Sequence, residues 1–337
     1  MNHHHHPTGV GCWPTQRGLT LVELLVAMTI NLVIIIAASY LYLGTRESQR
    51  AVDQTSEVNE VGVFALRALG RDIINAGFYP AVSSEGNDNI ISSYTNLSVP
   101  TVAAYNTGIF GCEGADFDVT AGCGSPTVAA ADSLVVAYFT NDAFGEAGGQ
   151  RKDCNGNDVG TAPVNTSRVG TGSSTQPPAK PLFVANHYRL GAPTAVVVDG
   201  QAASVRSLEC RGNAANSTAY QQVISNIEDF QVSYGVFSTS DRTVDKFYTA
   251  AEFSSIPLPT LTIDGKSLAP WSRVVAVRIC VLSRTYGAPS KLADTTGALR
   301  TYQACDGSSV QQPLTDRSTH KAYTQVFGLR NFLNKTY

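Results

Sequence analysis

The sequence has no surplus of basic residues. Its 24 Lys and Arg stand against 27 Asp and Glu, giving a net charge of −3, and only 15% of its residues are charged. No basic stripe exists to neutralise phosphates, so no nucleic-acid contact is expected. There is no acidic tail either. Methionine is scarce, at 2. No CxxC pair occurs, which disfavours zinc sites and thioredoxin-like redox sites. HExxH, Walker A and GxSxG are all absent. Asp264-Gly-Lys-Ser267 lacks the upstream glycine that a phosphate-binding loop needs. Beyond residue 18 only two histidines remain, His187 and His320. The chain is therefore read as something other than an enzyme, with no cofactor. Proline is missing between Leu19 and Phe78, so nothing interrupts a long helix there.

What the sequence does have is a long apolar run. Leu19–Leu43 (LTLVELLVAMTINLVIIIAASYLYL) is 25 residues. At 1.5 Å per residue this is long enough to cross a bilayer as a helix. It exceeds the apolar core of a secretory signal, and no A-x-A site follows it. Arg17 lies on its short N-terminal side, which places that side in the cytoplasm and the bulk of the chain across the membrane. Glu23 is the anomaly. A mid-membrane charge costs about 2.5–3.5 kcal/mol on insertion scales, less near the end of a span. On composition alone two readings stand: an anchor whose Glu touches the interface, or an acid that waits for a partner. Thr20, Thr29, Asn31 and Ser39 add polar groups able to bond between packed helices.

Six of the seven cysteines follow this run: Cys112, Cys123, Cys154, Cys210, Cys280 and Cys305; Cys12 precedes it. Beyond a membrane span, scattered cysteines suggest disulfides and an oxidising compartment. Six cysteines allow 15 pairings, and sequence cannot choose among them. The neighbour pairs Cys112–Cys123, Cys154–Cys210 and Cys280–Cys305 are the working expectation, against a few buried free thiols.

After Gly44 the chain turns polar and then recovers apolar residues at helical spacing. These are Val58, Val61, Ala65, Leu69 and Ile73, with Phe64 and Leu66 assigned to the same side. One helix from about Thr20 to Asn75 is predicted, stopped at Gly77 with Pro80 beyond. From Phe78 onward the chain reads as β with long polar loops. The predicted strands are Ser133–Phe139, Leu182–Leu190, Ala195–Asp199, Ser204–Cys210, Ile227–Val236, Val274–Ser283 and Ala322–Arg330. Val274–Leu282 is apolar on both faces apart from Arg278, as a central strand requires. Residues 141–180 are read as one long loop. Within it Asp153, Asn155, Asn157 and Asp158 look like the start of a calcium loop. The central glycine is missing, however, and Val164 stands where the bidentate Glu belongs, so a polar turn is preferred and no metal is expected. His187 is read as structural.

Arg17-Gly-Leu-Thr-Leu-Val-Glu23 ahead of a full-length apolar span resembles the class III signal of type IV prepilins and pseudopilins. The resemblance implies cleavage by prepilin peptidase after Gly18, N-methylation of Leu19, and an assembly role for Glu23 on a neighbour's new amine. Leu19 stands where the family prefers Phe. Residues 1–18, with the four histidines His3–His6, would then be a leader. Ile227–Gly235 (IEDFQVSYG), Trp271–Arg278 (WSRVVAVR) and Tyr323–Asn331 (YTQVFGLRN) resemble strand motifs of the PilW family of minor pilins; the last is shared with the larger pseudopilins of type II secretion.

The resemblance implies an α+β fold. A pilin helix at 19–77, transmembrane over 19–43, would pack on a disulfide-bonded antiparallel β-rich domain at 78–337. It further implies a periplasmic domain on the inner membrane of a Gram-negative bacterium, later carried into a pilus. The implied partners are prepilin peptidase, other minor pilins, the major pilin and a tip adhesin of the PilY family. A type II secretion minor pseudopilin is the alternative.

Overall fold

A computed structural model describes residues 18, 20–78, 108–118, 121–125, 131–140, 152–159, 182–198, 201–239, 241–255, 261–263, 266–267, 270–285, 299–313, 316 and 318–333. Outside this set lie the leader up to Arg17, Leu19, Pro80, Val164, Asp264 and most of the 141–180 loop. The chain forms two units, residues 1–51 and 52–337.

Helix α1 runs Leu21–Asn75, 55 residues without a proline. Its last turn ends in a left-handed Gly77, φ 66°, with the Phe78 N–H donating to the Asn75 carbonyl at 3.1 Å. Glycine takes that conformation without Cβ strain, which is why the helix stops here. The Asn331 amide supplies a further cap, donating to the carbonyls of Ile74, Asn75 and Ala76 at 3.4, 3.2 and 3.1 Å.

In the second unit the strands are β1 (Ile109–Cys112), β2 (Phe117–Asp118), β3 (Gly122–Cys123), β4 (Ser133–Thr140), β5 (Leu182–Leu190), β6 (Thr194–Val198), β7 (Gln201–Val205), β8 (Ser207–Arg211), β9 (Gln221–Ser225), β10 (Ile227–Val236), β11 (Lys246–Tyr248), β12 (Thr262–Ile263), β13 (Lys266–Ser267), β14 (Val274–Arg284), β15 (Thr301–Gln303), β16 (Ser309–Gln311) and β17 (His320–Gly328). Among the described residues this unit also has two short α-helices, α2 (Ala250–Ser255) and α3 (Arg330–Leu333), and a 3-10 helix at Pro270–Arg273. One antiparallel sheet has the order β1-β4-β5-β8-β9 and a second β11-β10-β14-β17. Between β9 and β10 stands Asn226 at φ 63°, a left-handed residue that turns the chain from one sheet to the other.

β14 is an inner strand of the second sheet, paired with β10 on one side and β17 on the other. Its side chains are buried on both faces except Arg278, which is exposed, and Arg284, at its end. β10 alternates, burying Phe230, Val232, Tyr234 and Val236. The buried stripe of α1 (Val58, Ala65, Leu66, Leu69, Ile73 and Ala76) closes the core against these faces.

Two glycines let the helix lie close to β17. A Cβ on Gly62 would come within 2.1 Å of the Tyr323 ring, and one on Gly70 within 2.3 Å of the Phe327 ring. Eight helical residues span about 12 Å. Four strand residues span about 13 Å. The strand therefore runs alongside the helix, and the two glycine–aromatic contacts lock their relative register.

Three expectations need correction. Phe64 is 56% exposed and does not share the buried side. It lies two residues, roughly 200°, from both Gly62 and Leu66, which face the core. Ser204–Cys210 is two strands. β7 pairs with β6 in a separate hairpin, the chain breaks at Arg206, and β8 joins the first sheet. The last strand is His320–Gly328 and stops short of Arg330, which begins α3.

Three disulfides staple the second unit: Cys112–Cys123, Cys154–Cys210 and Cys280–Cys305, with Cα separations of 5.5, 6.2 and 5.6 Å. The first ties β1 to β3, the second ties residues 152–159 to β8, and the third ties β14 to the β15–β16 hairpin.

Candidate functional site

Gly18 is exposed and non-helical, and α1 begins three residues later. Thr20 is the N-cap. Its hydroxyl accepts from the Glu23 N–H at 3.3 Å. In return the Thr20 N–H and hydroxyl both donate to Glu23 Oε2, at 3.0 and 3.1 Å. This is a capping box, a hydroxyl and a carboxylate three residues apart that satisfy each other and the first turn. Among the described residues Glu23 Oε1 takes no hydrogen bond. The carboxylate is thus fixed by one oxygen and free at the other.

The apolar segment that follows fulfils the length and composition of a membrane span, with none of its apolar window buried. Leu21, Leu32, Ile36 and Leu43 are 75%, 60%, 61% and 65% exposed. Such a surface is not stable in water, and lipid or other apolar helices must cover it. At its far end Tyr42 lies under the Arg46 guanidinium, 5.3 Å from ring centroid to Cζ, beside the exposed Tyr40. An aromatic–cation pair at that depth suits the membrane–water boundary. Thr29 returns its hydroxyl to the Val26 carbonyl at 2.8 Å, which satisfies it inside the helix.

The titratable groups of the second unit are built into the fold. Asp72, on α1, accepts from Tyr188 OH and Asn186 Nδ2, each at 2.5 Å, and from Tyr138 OH at 3.3 Å. Burial pushes its carboxyl up, and these donors oppose the shift. Asp132 accepts backbone N–H bonds from Gly114 at 2.9 Å and Val232 at 2.8 Å, tying the loop after β1 to β10. Burial pushes its carboxyl up to about 7. Asp153 organises its own turn, receiving the N–H groups of Asn155 and Asn157 on one oxygen, each at 3.0 Å. Ala214 N–H and Ser217 Oγ–H donate to its other oxygen. These donors occupy the carboxylate that a calcium loop would offer to its ion.

His187 is buried, edge-on to Phe117 at 5.3 Å, and burial lowers its pKa to about 3. His320 stacks on Tyr302 at 4.2 Å and is lowered by burial to about 4. Both are neutral at physiological pH. Among the described residues no three His, Cys, Asp or Glu side chains are grouped to hold a metal.

Sequence reasoning missed Asp72 and Asp132. The signal for Asp72 was a carboxylate next to the apolar stripe of α1, immediately before Ile73; nothing local announced Asp132.

Residues 13–39 match the prokaryotic N-terminal methylation motif, and residues 196–331 match the type IV pilus-assembly protein W family, PilW. The first match covers the capping box and most of the apolar span. The second runs from β6 to Asn331, the residue that caps α1. Comparison with curated proteins gives no match. Among solved structures, a type IV-like pilin from Thermus thermophilus aligns over 84% of this chain and 98% of its own, at 12% identity and a TM-score of 0.32. The methylation motif at the start of the helix and the PilW match over the last part of the chain make this protein similar to type IV pilin-like proteins of the PilW family.

Proposed function

We propose that the chain is a minor pilin that helps to initiate a type IV pilus and presents a tip adhesin of the PilY family. In this reading prepilin peptidase cuts between Gly18 and Leu19, and the new Leu19 amine is methylated. The domain beyond the span stands in the periplasm of a Gram-negative cell until the subunit leaves the inner membrane for the filament. Its neighbours there are other minor pilins and the major pilin.

The observation that carries the reading is the Glu23 carboxylate, held by Thr20 through Oε2 and open at Oε1 among the described residues, at the head of an apolar helix whose span is exposed. A buried charge is tolerable when paired, and a neighbouring subunit's Leu19 amine is a partner of the right sign. Such a pair acts as a register device more than as a source of stability. The exposed, non-helical backbone at Gly18 supports access of a peptidase to the bond.

Intact mass with and without co-expressed prepilin peptidase tests the processing step. Loss of the segment ending at Gly18 is expected; an unchanged mass refutes the reading. Glu23→Ala is expected to be cleaved normally, since the Thr20 hydroxyl still caps the helix, yet to fail to enter filaments or prime them. The N-terminal signal alone fits a type II secretion pseudopilin equally well. The PilW match over residues 196–331 favours the pilus.

A further inference from the structure

The polar side chains of the span divide into those the helix satisfies by itself and those it does not. Thr20 is used in the capping box, and Thr29 bonds back to Val26. Asn31 is different. It is exposed on α1, and its carboxamide makes no hydrogen bond among the described residues. A helical asparagine is able to bond backward: in the same helix Asn75 donates to the Arg71 carbonyl at 2.9 Å. Asn31 does not do so. It lies about 15 Å along the helix from Leu21, near the middle of a hydrocarbon layer about 30 Å thick. An amide there has no water, and leaving it unbonded costs several kcal/mol.

The position of Asn31 around the helix matters as much as its depth. Eight residues separate it from Glu23, a rotation of roughly 80° and a rise of about 12 Å. Glu23 Oε1 and the Asn31 carboxamide therefore lie on one flank, while the hydroxyl of Ser39, which likewise makes no hydrogen bond among the described residues, does not share it. Ser39 lies sixteen residues from Glu23, at roughly 160°, on the far side.

We propose that Asn31 is a second assembly contact, the residue with which this helix selects and registers the apolar N-terminal helix of a neighbouring pilin subunit. The inference rests on the assembly reading of Glu23 and extends that face toward the middle of the span. The occupant is a helix that presents an amide, hydroxyl or free backbone carbonyl at the level of Asn31. A single buried asparagine in a helix–helix seam characteristically fixes register and partner at some cost in stability. Without a hydrophobic driving force between helices in lipid, such polar contacts and close packing decide which helices associate.

The test uses full-length chain expressed in a piliated cell with its own chain deleted. Four variants are compared with wild type: Asn31→Leu, Asn31→Gln, Thr29→Ala and Ser39→Ala. Leader removal by intact mass and recovery in the membrane fraction are expected to be unchanged in all four, since Leu only strengthens the span. Incorporation into sheared filaments, read by quantitative mass spectrometry, is expected to fall about 3- to 15-fold for Asn31→Leu. Asn31→Gln is expected to recover most of it. Thr29→Ala and Ser39→Ala are expected to match wild type. Normal incorporation of Asn31→Leu overturns the proposal. So does an equal loss in Ser39→Ala, which would mean that polarity anywhere in the span suffices. Glu23→Ala is run alongside. If it too incorporates normally, the assembly reading itself fails; if it is lost while Asn31→Leu is not, only the role given to Asn31 falls.

Discussion

Asp132 illustrates how a single buried residue couples stability to pH. Its carboxyl is pushed up to about 7 by burial, while an unfolded chain titrates an aspartate near 4. Between those values the folded state holds a proton that the unfolded state has lost. The stabilising contribution is thus complete below about pH 4 and disappears as pH rises through about 7. His187 and His320, lowered to about 3 and about 4, act in the opposite sense. They contribute stability above about pH 6.5 and lose it as pH falls toward those lowered values. The difference between wild type and Asp132→Asn isolates the carboxyl. Over pH 4–7 the variant's melting temperature, relative to wild type, is expected to rise with pH. Parallel curves from thermal melts across that range would contradict it.

At the scale of elements, α1 and β17 fit because the helix has glycine where the strand has rings. Gly70→Ala replaces a poor helix former with a good one, a gain of about 1 kcal/mol in an exposed helix. Here the added Cβ meets the Phe327 ring at 2.3 Å. Overpacking costs about 1–3 kcal/mol, so the contact is expected to override the propensity. Denaturant unfolding of the isolated second unit is a poor assay for this, because α1 crosses its boundary. Urea melts of the full chain in detergent, followed by near-ultraviolet circular dichroism, read the effect directly. A midpoint at or above wild type would show that the strand simply moves aside. The sequence pattern identified the buried stripe at Val58, Ala65, Leu69 and Ile73. It misassigned Phe64, because a run of neighbouring apolar residues does not reveal which side of a helix will be covered.

For the whole molecule, three covalent links connect β1, β8 and β14 to loops and hairpins that have little core of their own. β14 is an inner strand of its sheet, so Cys280–Cys305 fastens a peripheral hairpin to a strand buried on both faces. Removing a native disulfide typically costs about 2–5 kcal/mol. Peptide mapping without reduction is expected to return three linked pairs, Cys112–Cys123, Cys154–Cys210 and Cys280–Cys305. A Cys154→Ser/Cys210→Ser chain is expected to melt well below wild type under oxidising conditions, and the two are expected to converge under reducing ones. Free alkylation of all six cysteines in denaturant would contradict this account.

The sequence by itself determined the long helix, the apolar span and most strand positions. Each is written in short-range periodicity or in runs without proline, and the placing of Glu23 inside the 25-residue apolar stretch Leu19–Leu43 is visible locally. Tertiary structure decided the rest. Cysteine pairing depends on which strands become neighbours. The burial of Asp72 depends on Asn186 and Tyr188, more than a hundred residues away. Gly62 and Gly70 acquire their purpose only when Tyr323 and Phe327 arrive from the other end of the chain. Contacts of that sequence separation leave no periodic trace, because they are fixed by how the sheets and the helix pack together.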